Sequence, residues 1–392
     1  MTKHQILITC PKGIPPFLKN ELLSLGFPVL SEITAGVLTE GTFDDTMRLN
    51  LLIRTGHRVL FSLHDFSASD SDELYRRLRI LPWEEHVPED GYLCVTSSVD
   101  TASIRDSRYA TVRCKDAIVD RIKDIRSRRP DSGPERDRSV VHLFWKDDRC
   151  SVYLDTSGQP LSRRGYRKIP LAAPMQETLA AAVVLATGWD GAGNFINPMC
   201  GSGTLAIEAA LIGLNRAPGL LRGNFGFMHL KDFNETAWND LRERVKTAAQ
   251  KQFAGKIIAT DIAADAVDAA KKNAATAGVE RLIEFSVCDF PDTPLPGSGV
   301  IVMNPAYGER MGELQDLETT YKGIGDFFKQ KCGGHTGYVF TGNPGLAKKV
   351  SLKPKRSIPF FNSGIECRLL EYELYEGTRK VKKTKAPIPA AA

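Results

Sequence analysis

The stretch Phe195 to Glu208, FINPMCGSGTLAIE, constrains this chain more than any other. A short apolar run ends in a glycine-bracketed turn and leaves as a helix. Gly201 and Gly203 let the backbone turn sharply and approach a ligand with no Cβ in the way. The helix starting near Thr204 aims its free N–H groups and positive dipole end at that turn. An anionic group such as a carboxylate would sit there. In open α/β sheets, ligands bind at the carboxyl ends of strands, where the strand order reverses. A lone GxG is also a common plain turn. This one is not a P-loop, because the Lys-Ser/Thr pair is missing, and it lacks the third Gly of the dinucleotide pattern.

From Glu177 onward the sequence alternates helix and strand, the pattern of a doubly wound α/β sheet. Helices are expected at 178–187, 204–214, 236–250, 264–276 and 321–331. Strands are expected at 195–197, 256–261, 283–289, 300–304 and 336–341. A hairpin pairs 357–361 with 367–374. Residues 215–255 read as an insertion that carries Ala217-Pro218-Gly219.

Asp261 ends the second of these strands, in IIATDI, and Asp289 ends the third, in SVCDF. In nucleoside-binding α/β sites an acid at the first position accepts hydrogen bonds from two ribose hydroxyls. An acid at the second can accept from an adenine amino group. Either one alone also reads as a helix or loop cap. A glycine loop and two acids at successive strand ends are a stronger signal than any one of them.

The next strand runs into Asn304-Pro305-Ala306-Tyr307-Gly308-Glu309-Arg310. The exocyclic amine of a nucleobase is flat, and its lone pair is delocalised into the ring. To attack a methyl group it must be held by acceptors that favour a localised lone pair. The Asn304 side-chain oxygen and the Pro305 carbonyl can accept its two protons, and Pro305 fixes φ and so the carbonyl's direction. Tyr307 can stack on the base, worth ~1–3 kcal/mol. A neutral thioether leaving a sulfonium requires no metal, so catalysis is positioning and electrostatics. The plain alternative is a proline turn closing a strand.

The N-terminal half reads as two small α/β units, 1–65 and 66–156. In the first, strands at 5–9 and 58–63 frame a helix carrying Leu18, Leu22 and Leu25. In the second, the best helix is 107–127, with Cys114, Ala117, Ile118, Ile122 and Ile125 on one stripe. Between Arg105 and Arg129 stand nine Lys or Arg against four Asp. That is either a solvated helix face or a phosphate-facing surface. The connector 157–174 contains Ser162-Arg163-Arg164-Gly165-Tyr166-Arg167-Lys168, four cations and one aromatic with no acid. Pro160, Pro170 and Pro174 keep it non-helical. It reads as a solvated linker or, through Arg163, Arg164, Arg167 and Lys168, as a contact to a nucleic-acid backbone.

Composition bounds the rest. At 392 residues, two or three domains are expected. The eight cysteines are scattered without a CxxC pair, which reads as reduced thiols, not a disulfide or zinc framework. No apolar run approaches the ~20 residues that span a bilayer. The start has too short an apolar run for a signal peptide, so the cytoplasm is expected. The net charge of +5 does not by itself name a nucleic-acid partner. From Thr378 the chain is basic and Pro/Ala-rich and reads as a disordered tail, 378–392.

The order LDTSGQPLSRRGYR, APMQETLAAA, NPMCGSGTLAIEAA, the Ala-Pro-Gly insertion and NPAYGER resembles the THUMP-domain RNA methyltransferases. Within them it is most similar to the bacterial 23S rRNA guanine-N2 group. The resemblance covers nearly the whole chain and implies S-adenosylmethionine as cofactor and RNA as partner, with a monomer favoured. It implies a C-terminal Rossmann-like class I methyltransferase fold over 175–377, with a mostly parallel seven-stranded sheet. It also implies an N-terminal ferredoxin-like unit (1–65) and an RNA-gripping THUMP domain (66–156). By resemblance, Asn197, Cys200, Gly201, Ser202 and Gly203 line the methionine end of the cofactor. Asp261 holds its ribose, Asp289 and Phe290 its adenine, and Thr178 closes over it. Asn304, Pro305 and Tyr307 hold the target base. Two positions depart from the family pattern: Asn197 stands where Asp is usual, and Ala306 where a second Pro is usual. Readings kept open are an adenine-N6 nucleic-acid methyltransferase, a protein-glutamine methyltransferase and a non-catalytic RNA-binding or ribosome-assembly factor.

Overall fold

The computed structural model describes residues 2–169, 171, 174–308 and 314–376. Pro170, the Glu309-Arg310 end of the second motif and the tail 378–392 lie outside the described residues.

Eight strands form one sheet across the N-terminal half: β1 (His4–Thr9), β2 (Ser31–Ile33), β3 (Gly36–Gly41), β4 (Arg58–Ser67), β5 (Tyr92–Asp100), β6 (Asp131–Ser132), β7 (Ser139–Lys146) and β8 (Arg149–Asp155). Their order is β2-β3-β1-β4-β8-β7-β5-β6, so the β4–β8 pairing fuses the two expected units into one surface. Period-two alternation sorts the side chains. Ile6, Ile8, Val141, Leu143, Trp145, Val152 and Leu154 are buried in the core. That core includes residues from α1 (Pro15–Ser24), α2 (Phe43–Leu52), α3 (Ser71–Arg79), α4 (Trp83–His86) and α5 (Ser107–Arg126). Ile125, expected on the apolar stripe of α5, is instead exposed.

Three of the α5 cations are engaged by neighbouring elements. Arg113 pairs with Asp72 at 2.7 Å and Arg121 with Glu84 at 2.7 Å. Arg126 donates to the carbonyls of Glu84, Val87 and Pro88. These three therefore fasten α5 to α3 and α4.

The second sheet holds β9 (Asn194–Pro198), β10 (Ile257–Asp261), β11 (Ile283–Val287), β12 (Gly299–Met303), β13 (Thr336–Thr341), β14 (Arg356–Asn362) and β15 (Ile365–Glu373). Its order is β11-β10-β9-β12-β13-β15-β14, parallel as far as β13, with β15 running antiparallel to both its neighbours, β13 and β14. Order reverses at β9, which pairs with both β10 and β12. The helices are α6 (Glu177–Ala186), α7 (Thr204–Gly213), α8 (Glu235–Thr247), α9 (Ala264–Ala277), α10 (Leu314–Gln330) and α11 (Pro344–Lys349). Phe195, Ile257 and Val302 share a core with residues of α6, α7 and α9. Ile196, Ile258 and Ile301 share one with Tyr321, Ile324 and Phe328 of α10. Both faces are thus covered, as a parallel sheet requires. No helix among the described residues is long and apolar enough to cross a membrane.

The connector departs from its sequence reading. Arg164 is 2% exposed and lies 3.4 Å from Glu208 Oε1, a carboxylate wholly buried in α7. It also donates to the carbonyls of Leu161 and Arg54. Tyr166 is buried as well, and its hydroxyl donates to Glu208 at 3.0 Å. Arg167 donates to the Met175 carbonyl at 2.6 Å and to Thr204 Oγ1 at 3.1 Å, and it lies 3.5 Å from Glu177. Arg164 and Arg167 are therefore not free for a phosphate backbone, because two buried acids of α6 and α7 hold them. Arg163 and Lys168 alone of the four are exposed.

Removing one member of a buried ion pair strands the other, at a cost of about 3–5 kcal/mol. Arg164→Ala is expected to lower unfolding stability by that amount, whereas Arg163→Ala changes it by less than ~0.5 kcal/mol. Denaturant unfolding of the two variants measures both.

Candidate active site

The loop after β9 and the segment after β12 lie at the carboxyl ends of adjacent strands, on either side of the reversal in strand order. That is where open α/β sheets bind ligands. Met199, Gly201 and Gly203 have φ of 60°, 52° and 82°. At Gly203 a Cβ would stand 2.8 Å from the Ala270 Cβ on α9, so loop and helix meet only because nothing projects there. Gly203 is also the N-cap of α7, with no side-chain cap, which leaves first-turn N–H groups available to a ligand.

Three hydrogen bonds tie the loop to its neighbours. Cys200 N–H donates to the Thr260 carbonyl at 2.9 Å, and Gly201 N–H donates to Asp261 Oδ2 at 2.9 Å. Asn273 of α9 donates to the Ser202 carbonyl at 3.1 Å. The Cys200 thiol is buried, and that burial pushes it up to about 12, so it is no nucleophile near neutral pH. Asp261 Oδ1 accepts from Ala263 N–H at 3.1 Å. Each carboxylate oxygen has two lone pairs, so both retain capacity for a ligand hydroxyl. Cys288 N–H donates to the Asp261 carbonyl at 3.1 Å, bringing the β11 end alongside. There Asp289 is exposed and Oδ1 caps Phe290 N–H at 2.7 Å. The Phe290 ring is half-buried edge-to-face on Phe327. Asp289 is thus both a cap and an open carboxylate.

Two amide oxygens stand out. Asn197 is fully buried, and its Nδ2 donates to the Val302 carbonyl at 2.8 Å, across β9 and β12. Its Oδ1 is buried without a partner. Asn304 Oδ1 is likewise buried without a partner among the described residues. An unmet buried acceptor costs about 1–3 kcal/mol, and at a strand-end cleft it marks a place for a donor. Pro305 is buried beside it, and Ala306 is exposed.

Tyr307 is half-buried, its ring edge-to-face with Phe340. Its hydroxyl accepts from Asn362 Nδ2 at 2.8 Å and lies 3.7 Å from Cys367 Sγ. A Cβ at position 342 would stand 2.9 Å from the Tyr307 ring, so Gly342 makes room for it. Burial pushes the phenol up to about 12, leaving it neutral and suited to stacking.

Thr178 is fully buried at the start of α6, with its hydroxyl 2.9 Å from His57 Nε2 of the N-terminal half. Burial, aided by the charges of Arg58 and Arg164, pushes His57 down to about 4, so the imidazole is neutral near pH 7. Sequence reasoning missed His57, Asn273 and Asn362, which stand in unrelated segments with no spacing to link them. A sign of the buried cluster was present, however: Glu208 is the one acid in the otherwise apolar α7. Among the described residues no cluster of three His, Cys, Asp or Glu could hold a metal ion. A carboxylate-bearing nucleoside fits the donor set: free α7 N–H groups, then Asp261, then Asp289.

Three family models match the chain: an RlmL ferredoxin-like domain at 5–60, a THUMP domain at 68–155 and an RMKL-like methyltransferase domain at 164–371. The ribosomal RNA large subunit methyltransferase K/L of Syntrophotalea carbinolica is 38% identical over 382 residues, 94% of this chain and 53% of that relative. The chain thus spans about half the length of that relative. A Synechocystis sp. protein with the provisional name RNA methyltransferase slr0064 is 32% identical, across 95% of this chain and 98% of its own. Among solved structures, SMU.472, provisionally a methyltransferase and complexed with SAH, superposes with TM-score 0.87 at 26% identity, covering 96% of this chain and 100% of its own. A predicted N6-adenine-specific DNA methylase from Listeria monocytogenes superposes with TM-score 0.85 at 30% identity, covering 96% and 97%.

Asn197→Asp replaces the donor on the Val302 carbonyl with a buried carboxylate facing it. The variant is expected to lose about 1–3 kcal/mol of stability, read as a lower unfolding midpoint without ligand.

Proposed function

The chain belongs to the RMKL-like methyltransferase family that carries a THUMP domain, and from that premise we propose that it methylates guanine N2 in large-subunit (23S) ribosomal RNA. The observation that carries this reading is the buried, partnerless Asn304 Oδ1 beside the Pro305 carbonyl, at the strand end next to the glycine loop. RNA is the partner, and the cytoplasm is the place of action.

S-adenosylmethionine supplies a methyl group on a sulfonium, which leaves as a neutral thioether. Gly201, Ser202 and Gly203, with the N-terminus of α7, bind its methionine carboxylate. Asp261 accepts from the ribose hydroxyls, and Asp289 with Phe290 receives the adenine. Cys200 lines the loop through its backbone. Asn197 holds β9 and β12 in register, so that cofactor and acceptor sites keep a fixed separation. Thr178, anchored by His57, closes the pocket on the α6 side.

Asn304 Oδ1 and the Pro305 carbonyl accept the two N–H groups of the guanine amine. Those bonds favour the pyramidal amine, whose lone pair points at the methyl group, over the flat ground state. The interactions are therefore stronger in the transition state, which is what raises kcat. Tyr307 presents its ring to the base while Asn362 fixes its hydroxyl. The proton that N2 sheds once the methyl group is attached goes to solvent. Ala306 is exposed and supplies neither acceptor, so the missing second proline leaves the chemistry intact.

A second reading is adenine-N6 methylation, since the acceptor pair serves any flat amine and the Listeria neighbour carries that name. Asn304→Ala separates a catalytic site from a vestigial one. The variant is expected to lose methyl transfer by about 10²–10³-fold while calorimetry shows cofactor binding within about twofold. Unchanged turnover removes Asn304 from the mechanism. Transfer by the unaltered protein to duplex DNA and not to 23S rRNA overturns the RNA reading.

A further inference from the structure

The face of the N-terminal sheet turned away from its helices carries an exposed aromatic ring among polar residues. In a sheet with one solvated side, outward residues are mostly polar or charged. Here Ser98 on β5, His142 and Phe144 on β7, and Tyr153 on β8 stand outward beside Thr96, Asp100, Lys146 and Ser151, so Phe144 is the apolar ring in an otherwise polar row. Registers set them side by side: His142 opposite Tyr153, and Phe144 opposite Ser98. Phe144 is 41% exposed. Ser98, His142, Phe144 and Tyr153 form one wall of a cleft of about 620 Å³. The opposite wall comes from the methyltransferase half: Phe361 and Asn362 at the β14–β15 turn, and Gln176 ahead of α6. Among the described residues no Asp or Glu lines the cleft, and Lys12 stands in its lining, over the Phe361 ring at 4.6 Å.

One hydrogen bond joins the cleft's lining to the acceptor motif. Asn362, in the cleft wall, is the residue that donates to the Tyr307 hydroxyl at 2.8 Å. His57, also in the wall, holds Thr178. An occupant of the cleft therefore touches the residues that hold Tyr307 and Thr178. The wall chemistry suits one kind of occupant. Exposed rings on a sheet face stack unpaired bases, side-chain amides and hydroxyls pair with base edges, and a lone Lys meets a phosphate. The described lining offers a phosphate one cation and no acid to repel it.

We propose that this cleft binds an unpaired nucleotide adjacent in the RNA chain to the methylated one, its base stacked on Phe144. The assignment rests on the RNA methyltransferase reading of the site. It gives the N-terminal sheet a direct part in substrate selection: the target must lie in a stretch whose neighbour can leave its helix. Protein substrates and duplex DNA do not offer such a base.

Two measurements on the full chain test it, with protein-free 23S rRNA as substrate. Phe144→Ala is expected to raise KM for RNA by about fivefold or more, the loss of one base stack. kcat and cofactor affinity stay within about twofold, and Phe144→Tyr restores KM. Phe144→p-benzoylphenylalanine, irradiated on the substrate, is expected to cross-link a nucleotide next to the methylated one. An unchanged KM in Phe144→Ala, cross-links far from the methylated base, or cross-links to protein alone overturn the assignment while the active site stands. If the unaltered protein methylates no RNA at all, the reading of the site fails first and the cleft assignment falls with it.

Discussion

Glu208 is a carboxylate with no exposed surface, inside the helix that the glycine loop opens. Such a charge persists in a protein interior only when it is paired and hydrogen-bonded. Its partners, Arg164 and Tyr166, come from the connector, and Arg164 also bonds the Arg54 carbonyl of the N-terminal half. The same seam carries other buried donors. Arg54 donates to the Arg216 carbonyl at 3.0 Å, and Arg222 donates to the carbonyls of Ser157, Gln159 and Pro160. Burial pushes Arg222 down to about 10, so it remains charged at neutral pH. A buried ion pair is weak evidence of net stability. Its consequence here is geometric: each half supplies groups that the other leaves unsatisfied.

That seam gives the active site its surroundings. The glycine loop, the two strand-end acids and the Asn304 motif all lie on the methyltransferase sheet and are set by its strand order. Yet Thr178 is held by His57 from the other half, and the wall beside Tyr307 faces the N-terminal sheet. The N-terminal half is thus more than an appended grip. Its paired strands β1, β4, β8 and β7 form a continuous surface that faces the β14–β15 hairpin across the cleft. Of the α5 cations, Arg113, Arg121 and Arg126 bond groups of α3, α4 or the segment after it, while Arg163 and Lys168 of the connector stay exposed.

Much of this was legible in the residues, and the failures have a common cause. Local pattern revealed the doubly wound sheet, the helix after Gly203, the two acids and the hairpin. Each depends on periodicity or on conformational preference within a few residues. The glycine loop lies where FINPMCGSGT implied, and Asn304 follows β12 directly. Pattern misread the connector, because four cations without a nearby acid look solvated. The acids that neutralise Arg164 and Arg167 lie in α7 and α6, and only the tertiary fold brings them together. Ile125 fitted a helical stripe but sits near the end of α5, past the core. The fusion of the two N-terminal units depends on the β4–β8 register, which sequence spacing does not encode. His57 and Asn362 were invisible for the same reason.

The central claim is that the acceptor pair at Asn304 and Pro305 serves a guanine amine in large-subunit ribosomal RNA. Nucleoside mass spectrometry of ribosomal RNA from cells with and without this gene tests it most directly. The account predicts that one N2-methylguanosine in 23S rRNA disappears with the gene and returns when the unaltered chain is supplied. An unchanged N2-methylguanosine content, with loss of N6-methyladenosine instead, would contradict it.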